Sequence, residues 1–226
     1  MGWGPRSLLN QIGSASNGLF SYCFPQAHNG DVPTTLLKFG SDIVRGRNLS
    51  TTPLVKYSNL DSYYVNLQGL SVDGIRLNIP GWVFARKGYG RGGCVIDSGA
   101  EVSHIVDFAY RVLRQALVNY FARVGGLNMV MGMGRGLDLC YQWGNTKPVF
   151  DYPKIGFHFQ GADLVVEPAG LFVEVEAQRY FCLAMVSSHQ FDLTAIGAYQ
   201  QINRRFIFDN GRKQLLFGPE NCALNP

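Results

Sequence analysis

Residues 93–100 read Gly-Cys-Val-Ile-Asp-Ser-Gly-Ala, GCVIDSGA: the apolar triplet Cys94, Val95 and Ile96 runs straight into a carboxylate, and a small hydroxyl residue and a glycine follow at once. The triplet reads as a buried strand and Asp97-Ser98-Gly99 as a tight turn at its end. An Asp-Ser-Gly turn has an ordinary use, since aspartate accepts backbone N–H groups and glycine supplies an awkward dihedral. Taken alone the ordinary turn is the first reading; the apolar triplet before it and the helix that starts ten residues later argue for more.

Outward from this turn the chain reads as short strands separated by turn residues. SYYVNLQGLSVDGIRLNIP (62–80) alternates as a hairpin, with Asp73-Gly74 as its positive-φ turn. Further strands are expected at 154–160, 163–167, 179–186, 204–209 and 213–217. The one long helix is expected in DFAYRVLRQALVNYFARV (107–124), where Phe108, Val112, Leu113, Ala116, Leu117, Tyr120 and Phe121 share a face. Asp107 is expected to cap its start, and Gly125-Gly126 to end it. A shorter helical turn is expected at 6–12, after Pro5. The fold class is therefore all-β, mainly β with one or two helices.

A chain of 226 residues can bury a sizeable core, and 46% hydrophobic against 16% charged residues argues against disorder. The formal charge of +4 comes from scattered lysines and arginines. Arg204-Arg205 and Arg212-Lys213, the densest clusters, read as solvated faces. No basic stripe is interleaved with aromatics, so a nucleic-acid partner is not expected. No apolar run approaches the roughly 18 residues of a membrane span, so neither is a membrane. The opening MGWGPRSLLNQIG does not have the pattern of a signal peptide.

Cysteines 23, 94, 140, 182 and 222 are too far apart for a CxxC metal clip. Five thiols allow at most two bridges within the chain, and the spacing leaves the pairing open. Asn48-Leu49-Ser50 is a glycosylation sequon. MGMGRG (131–136) lacks the strand-then-helix context of a phosphate loop and reads as a surface loop. His28, His104, His158 and His189 form neither HExxH nor a close pair, and no metal or cofactor is expected. There is no GxSxG elbow, and Cys94, in an apolar strand, reads as an inert buried thiol.

That leaves VIDSGA. Val95 to Ala100 resembles the motif of the pepsin-like aspartic proteases, and specifically of their plant nepenthesin-type branch: apolar residues, Asp, Ser or Thr, then Gly. Its company is similar to that family's landmarks in the same order. These are GWGPRSLLNQIGSASNGLFSYCF (2–24), YYVNLQGLSVDGIRLNIP (63–80), LDLCY (137–141), YFCLAMV (180–186) and AIGAYQQINRRFIFDNGRKQLLFGPENC (195–222).

The resemblance implies a pepsin-like acid protease lobe, with residues 1–50 as the tail of a first lobe and 51–226 as the second. Enzymes of this family hydrolyse peptide bonds with two aspartates that share one proton, because two adjacent carboxylates cannot both ionise. Asp97 would be the second-lobe member. Ser98 would reach across the lobe interface through its hydroxyl, and Gly99 would leave room for substrate. Ile196-Gly197 would cross behind the loop and support it. The resemblance also implies disulfides Cys140–Cys182 and Cys23–Cys222, with Cys94 free. It implies peptide or protein substrates, no cofactor, and an oxidising compartment, secreted or vacuolar.

Two departures qualify that expectation. Ala100 stands where the family carries Ser or Thr, which removes a hydroxyl donor from the outer oxygen of Asp97. No Asp-Thr-Gly motif and no flap tyrosine segment occur in the sequence. The expectation is therefore a fragment with one catalytic aspartate, incompetent as an isolated protease and lacking an N-terminal lobe as partner. A catalytically dead binding protein, such as a xylanase-inhibitor-type module, is the alternative. A homodimer pairing two copies of Asp97, as in retroviral relatives, is a third.

Overall fold

In the computed structural model, which describes residues 2–27, 34–46, 48–58, 60–88, 90–131, 136–189 and 192–225, strands dominate and mostly pair with partners far away in sequence. The largest sheet runs Met185–Ser188, Ser103–Val106, Thr194–Ile196, Cys94–Ile96, Tyr63–Val65, Ser50–Val55, Gln214–Pro219, Arg204–Asp209, Leu19–Cys23, Lys38–Phe39. The expected strands at 154–160, 163–167, 204–209 and 213–217 form within a residue or two of those bounds. The run 179–186 divides into Tyr180–Leu183 and Met185–Ser188, which belong to different sheets.

The segment before residue 50 is part of this sheet. Leu19–Cys23 pairs antiparallel with Arg204–Asp209, and Phe20 stacks on Phe208 with ring centroids 4.4 Å apart. A disulfide joins Cys23 to Cys222 across 199 residues of sequence. The chain's two ends are thus fastened by one sheet and one covalent bond.

The hairpin read at 62–80 is split between two sheets. Leu67–Val72 pairs with Ile75–Arg76 around Asp73 and Gly74, at φ 47° and 77°, as an Asp-Gly turn requires. Tyr63–Val65 instead enters the large sheet between Ser50–Val55 and Cys94–Ile96. Tyr63–Val65 and Leu67–Val72 are both largely buried, so alternation alone could not separate them.

Helix α1 spans Leu8–Ile12, with Ser7 capping the N–H of Asn10. Helix α2 spans Asp107–Phe121 and buries Ala109, Tyr110, Leu113, Leu117 and Phe121, four of them one turn apart. Two expectations need correction. Phe108 is exposed and lies beside Trp82, off the buried stripe. Asp107 makes no capping bond: the strand Ser103–Val106 runs directly into the helix, so Asp107 is already its first residue. Its carboxylate accepts from the Ser187 hydroxyl at 2.9 Å and pairs with Arg111 one turn on.

Under α2 lies an aromatic cluster in which Phe121 meets Tyr141, Phe150, Phe172 and Phe181 within 4.8–5.9 Å. A second sheet runs Leu127–Val130, Cys140–Trp143, Tyr180–Leu183, Phe172–Val175, and carries the Cys140–Cys182 disulfide between directly opposed residues. The basic pair 204–205 also departs from expectation, because Arg205 is buried rather than solvated. Its guanidinium forks onto Glu220 at 3.0 and 2.7 Å, which makes burial of the charge tolerable.

Candidate active site

Asp97 stands at the end of the buried strand Cys94–Ile96, where the chain turns outward. The side chain is half-buried, and Ser98 and Gly99 are exposed. The Gly99 N–H donates to Asp97 Oδ1 at 2.9 Å, and the Ala100 N–H to the Asp97 carbonyl at 3.3 Å. The ordinary turn chemistry read from the sequence is therefore present, and by itself it distinguishes nothing.

The packing behind the turn is more specific. Thr194–Ile196 runs parallel to Cys94–Ile96, residue for residue, and lies antiparallel to Ser103–Val106 on its other side. The two strands that flank the Asp97 turn are thus separated by a third, threaded between them. Ile196 accepts the Asp97 N–H at 3.0 Å, and Ala198 and Tyr199 donate to the carbonyls of Ala100 and Glu101. Gly197 sits at the crossing, where a Cβ would lie 2.5 Å from the Val102 carbonyl, so only hydrogen fits.

Two fully buried glutamines hold this crossing. Gln200 accepts the Ser103 N–H and hydroxyl, and its amide donates to the carbonyls of Gly170 and Ala184. The Ser103 hydroxyl in turn accepts the Gly197 N–H. Gln201 accepts the Tyr22 hydroxyl at 2.6 Å and donates to the Ile196 carbonyl at 2.8 Å. Burial holds the Tyr22 phenol far above its ordinary value; a hydrogen bond with Ser98 opposes this and the charge of Asp97 adds to it. Tyr22, Gln200 and Gln201 were not singled out in the sequence. Their signal was available in FSYC, where a phenol stands near the end of an apolar strand, and in AYQQ, a short 3-10 turn with two uncharged amides between apolar stretches.

The remaining sequence candidates lie elsewhere. Cys94 is the free thiol, and burial alone pushes it up, away from the reactive form. Asn48 is exposed at φ 61°, in a conformation asparagine tolerates. His28 and residues 132–135 of the glycine-rich stretch lie outside the described residues. His104 is exposed on its strand, and His189 lies 3.8 Å from Asp107. His158 joins Asp163 through Nδ1 and Ser71 through Nε2, both at 2.9 Å, the connectivity of a hydrolytic triad. Ser71, however, is only 3% exposed, so the array braces three strands and leaves no approach for a substrate.

Beside the Asp97 turn is a hollow of about 340 Å³, walled by Phe24, Pro25, Tyr199 and Ile202 together with the polar Gln26, Thr35 and Glu101. Its walls include Ala198 and Tyr199, the residues bonded to the turn itself.

Comparison with known proteins gives this geometry a context. Residues 62–219 match the family model described as "Xylanase inhibitor C-terminal". Aspartic proteinase nepenthesin-2 of Nepenthes gracilis is 31% identical over 223 residues, covering 99% of the chain and 49% of the relative. Nepenthesin-1 from the same plant is 32% identical over 225 residues, with the same coverage. Among solved structures, that of edgp superposes with a TM-score of 0.80 at 15% identity, over 99% of this chain and 60% of that one. The chain spans about half the length of the curated relatives it matches.

Proposed function

The chain belongs to the xylanase inhibitor C-terminal family, with plant nepenthesin-type aspartic proteinases among its relatives, and from that premise we propose that it is one lobe of an aspartic-type endopeptidase. Asp97 is one carboxyl of a two-aspartate dyad. In such a dyad one carboxylate takes a proton from water while the other, protonated, donates to the scissile carbonyl. The observation that carries the reading is the mounting of Asp97. A half-exposed carboxyl is held at the end of a buried strand, with its main chain tied to a second strand threaded behind the turn.

One carboxyl cannot serve as base and acid in the same step, and Asp-Thr-Gly does not occur in these 226 residues. The chain alone is therefore expected to be inactive, and its partner is a first lobe that carries the second aspartate. Ser98 and Gly99 face that partner and the substrate, and Ile196-Gly197 supports the turn from behind. The substrate is an extended peptide, and the mostly apolar hollow beside the turn suits one of its apolar side chains. The two disulfides fit an oxidising compartment, secreted or vacuolar.

The test is cleavage of a denatured protein at acid pH by the purified chain, alone and mixed with the first lobe of nepenthesin-1, beside Asp97→Ala. No cleavage alone, cleavage on mixing, and loss in Asp97→Ala are expected. Cleavage by the chain alone that disappears in Asp97→Ala would replace the lobe model with a self-associated site. A second reading, a catalytically dead binding module, is favoured by the family description and by Ala100. Inhibition of a xylanase by the chain, unaffected by Asp97→Ala, would establish it.

A further inference from the structure

We infer that Tyr22, acting through Gln201, is a positioning residue for the Asp97 turn. The inference deepens the reading of Asp97 as a catalytic carboxyl and rests on it. The connection runs through three hydrogen bonds in series: the Tyr22 hydroxyl donates to Gln201 Oε1, the Gln201 amide donates to the Ile196 carbonyl, and that same carbonyl accepts the Asp97 N–H. Gln201 is wholly buried and Tyr22 nearly so, which leaves neither group water as a substitute partner.

Each step of the relay is directional. The phenol occupies the amide oxygen of Gln201, so the amide nitrogen must point at Ile196, and it cannot flip without leaving two buried groups unpaired. The Ile196 carbonyl is thereby fixed between two donors, one of them the main chain of Asp97. The strand of Tyr22, Leu19–Cys23, lies several strands away from Cys94–Ile96 in the large sheet. The relay thus couples the orientation of the carboxyl to the segment before residue 50, through side chains rather than through the strand ladder.

Tyr22→Phe removes one hydroxyl and keeps the ring that stacks on Phe24 and Phe206. The test is amide hydrogen exchange of the full chain, read residue by residue by NMR. Exchange at the Asp97 amide is expected to quicken about tenfold, the ratio that loss of one buried hydrogen bond sets, while Phe157 and Phe181 keep their rates. Gln201→Leu should reproduce this pattern, and 4-aminophenylalanine in place of Tyr22, which restores a donor, should reverse it. An unchanged rate at Asp97, or equal acceleration at all three sites, would overturn the inference in favour of no role or a purely structural one. The parent reading fails separately: if Asp97→Ala mixed with the first lobe of nepenthesin-1 cleaves as well as the parent chain, Asp97 is not catalytic, whatever its exchange rate.

Discussion

The region behind Asp97 and the region beneath α2 are both buried, yet they are built from different interactions. Beneath α2, Phe121, Tyr141, Phe150, Phe172 and Phe181 pack ring on ring at mixed angles, from stacked to edge-on. Behind Asp97, Ser103, Thr194, Gln200 and Gln201 are buried with their side-chain polar groups paired. Aromatic packing stabilises through area and tolerates some sliding. A polar network contributes less net stability, but it admits one orientation, because every alternative leaves a buried donor or acceptor unmet. The contrast separates what keeps this chain folded from what aims one carboxyl.

The contrast can be tested by mutation, beginning where the effect is largest. Phe181→Ala should cost about 3–5 kcal/mol in urea unfolding, because the surrounding rings cannot collapse fully into the space. A loss below about 1 kcal/mol would mean that the aromatic cluster is not the main store of stability. Gln200→Leu should cost about 2–3 kcal/mol, since it strands the Ser103 donors and the carbonyls of Gly170 and Ala184. Unlike Phe181→Ala, it should also abolish cleavage by the lobe-complemented chain.

Gly197→Ala brings a methyl group against the Val102 carbonyl, and about 1–3 kcal/mol of strain is expected. Amide exchange at Asp97 should report it more sharply than the midpoint of global unfolding does. Alkaline pH acts on both regions. Burial raises the phenols of Tyr22 and Tyr110 above the ordinary value of 10.0, so the folded state keeps protons that the unfolded state releases. Stability should therefore be intact below pH 10 and fall above it, by up to about 1.4 kcal/mol per pH unit for each such tyrosine. Tyr22→Phe should make that decline shallower. The smallest effect is expected from Arg111→Gln, which loses an exposed ion pair with Asp107 and should cost less than about 0.5 kcal/mol by thermal unfolding.

Much of the architecture was legible because it depends on local pattern. The expected strands at 154–160, 163–167, 204–209 and 213–217 formed close to their bounds, and the long helix was visible from its apolar recurrence. Asp73-Gly74 identified its turn because few other pairs accept two positive φ values in succession. The misreadings arose where a neighbour distant in sequence decided the matter. Arg205 reads as a surface charge until Glu220 is placed opposite it, and Phe108 reads as core until α2 is docked with Ala109 and Leu113 inward. Asp107 reads as a cap until the preceding strand is seen to enter the helix without a break.

By itself the sequence determined that the chain is β-rich, that α2 is amphipathic, and that Asp97 ends an apolar strand on a tight turn, because these follow from residue types within a few positions of one another. Only the tertiary structure decided that Thr194–Ile196 threads between the strands flanking that turn, that Gly197 marks the crossing, and that Tyr22 and Gln201 meet across 179 residues behind it. The physical reason is that a buried hydrogen bond has strict geometry but no sequence period. Periodicity reveals which face is apolar, whereas the partner of a buried amide is set by the fold as a whole.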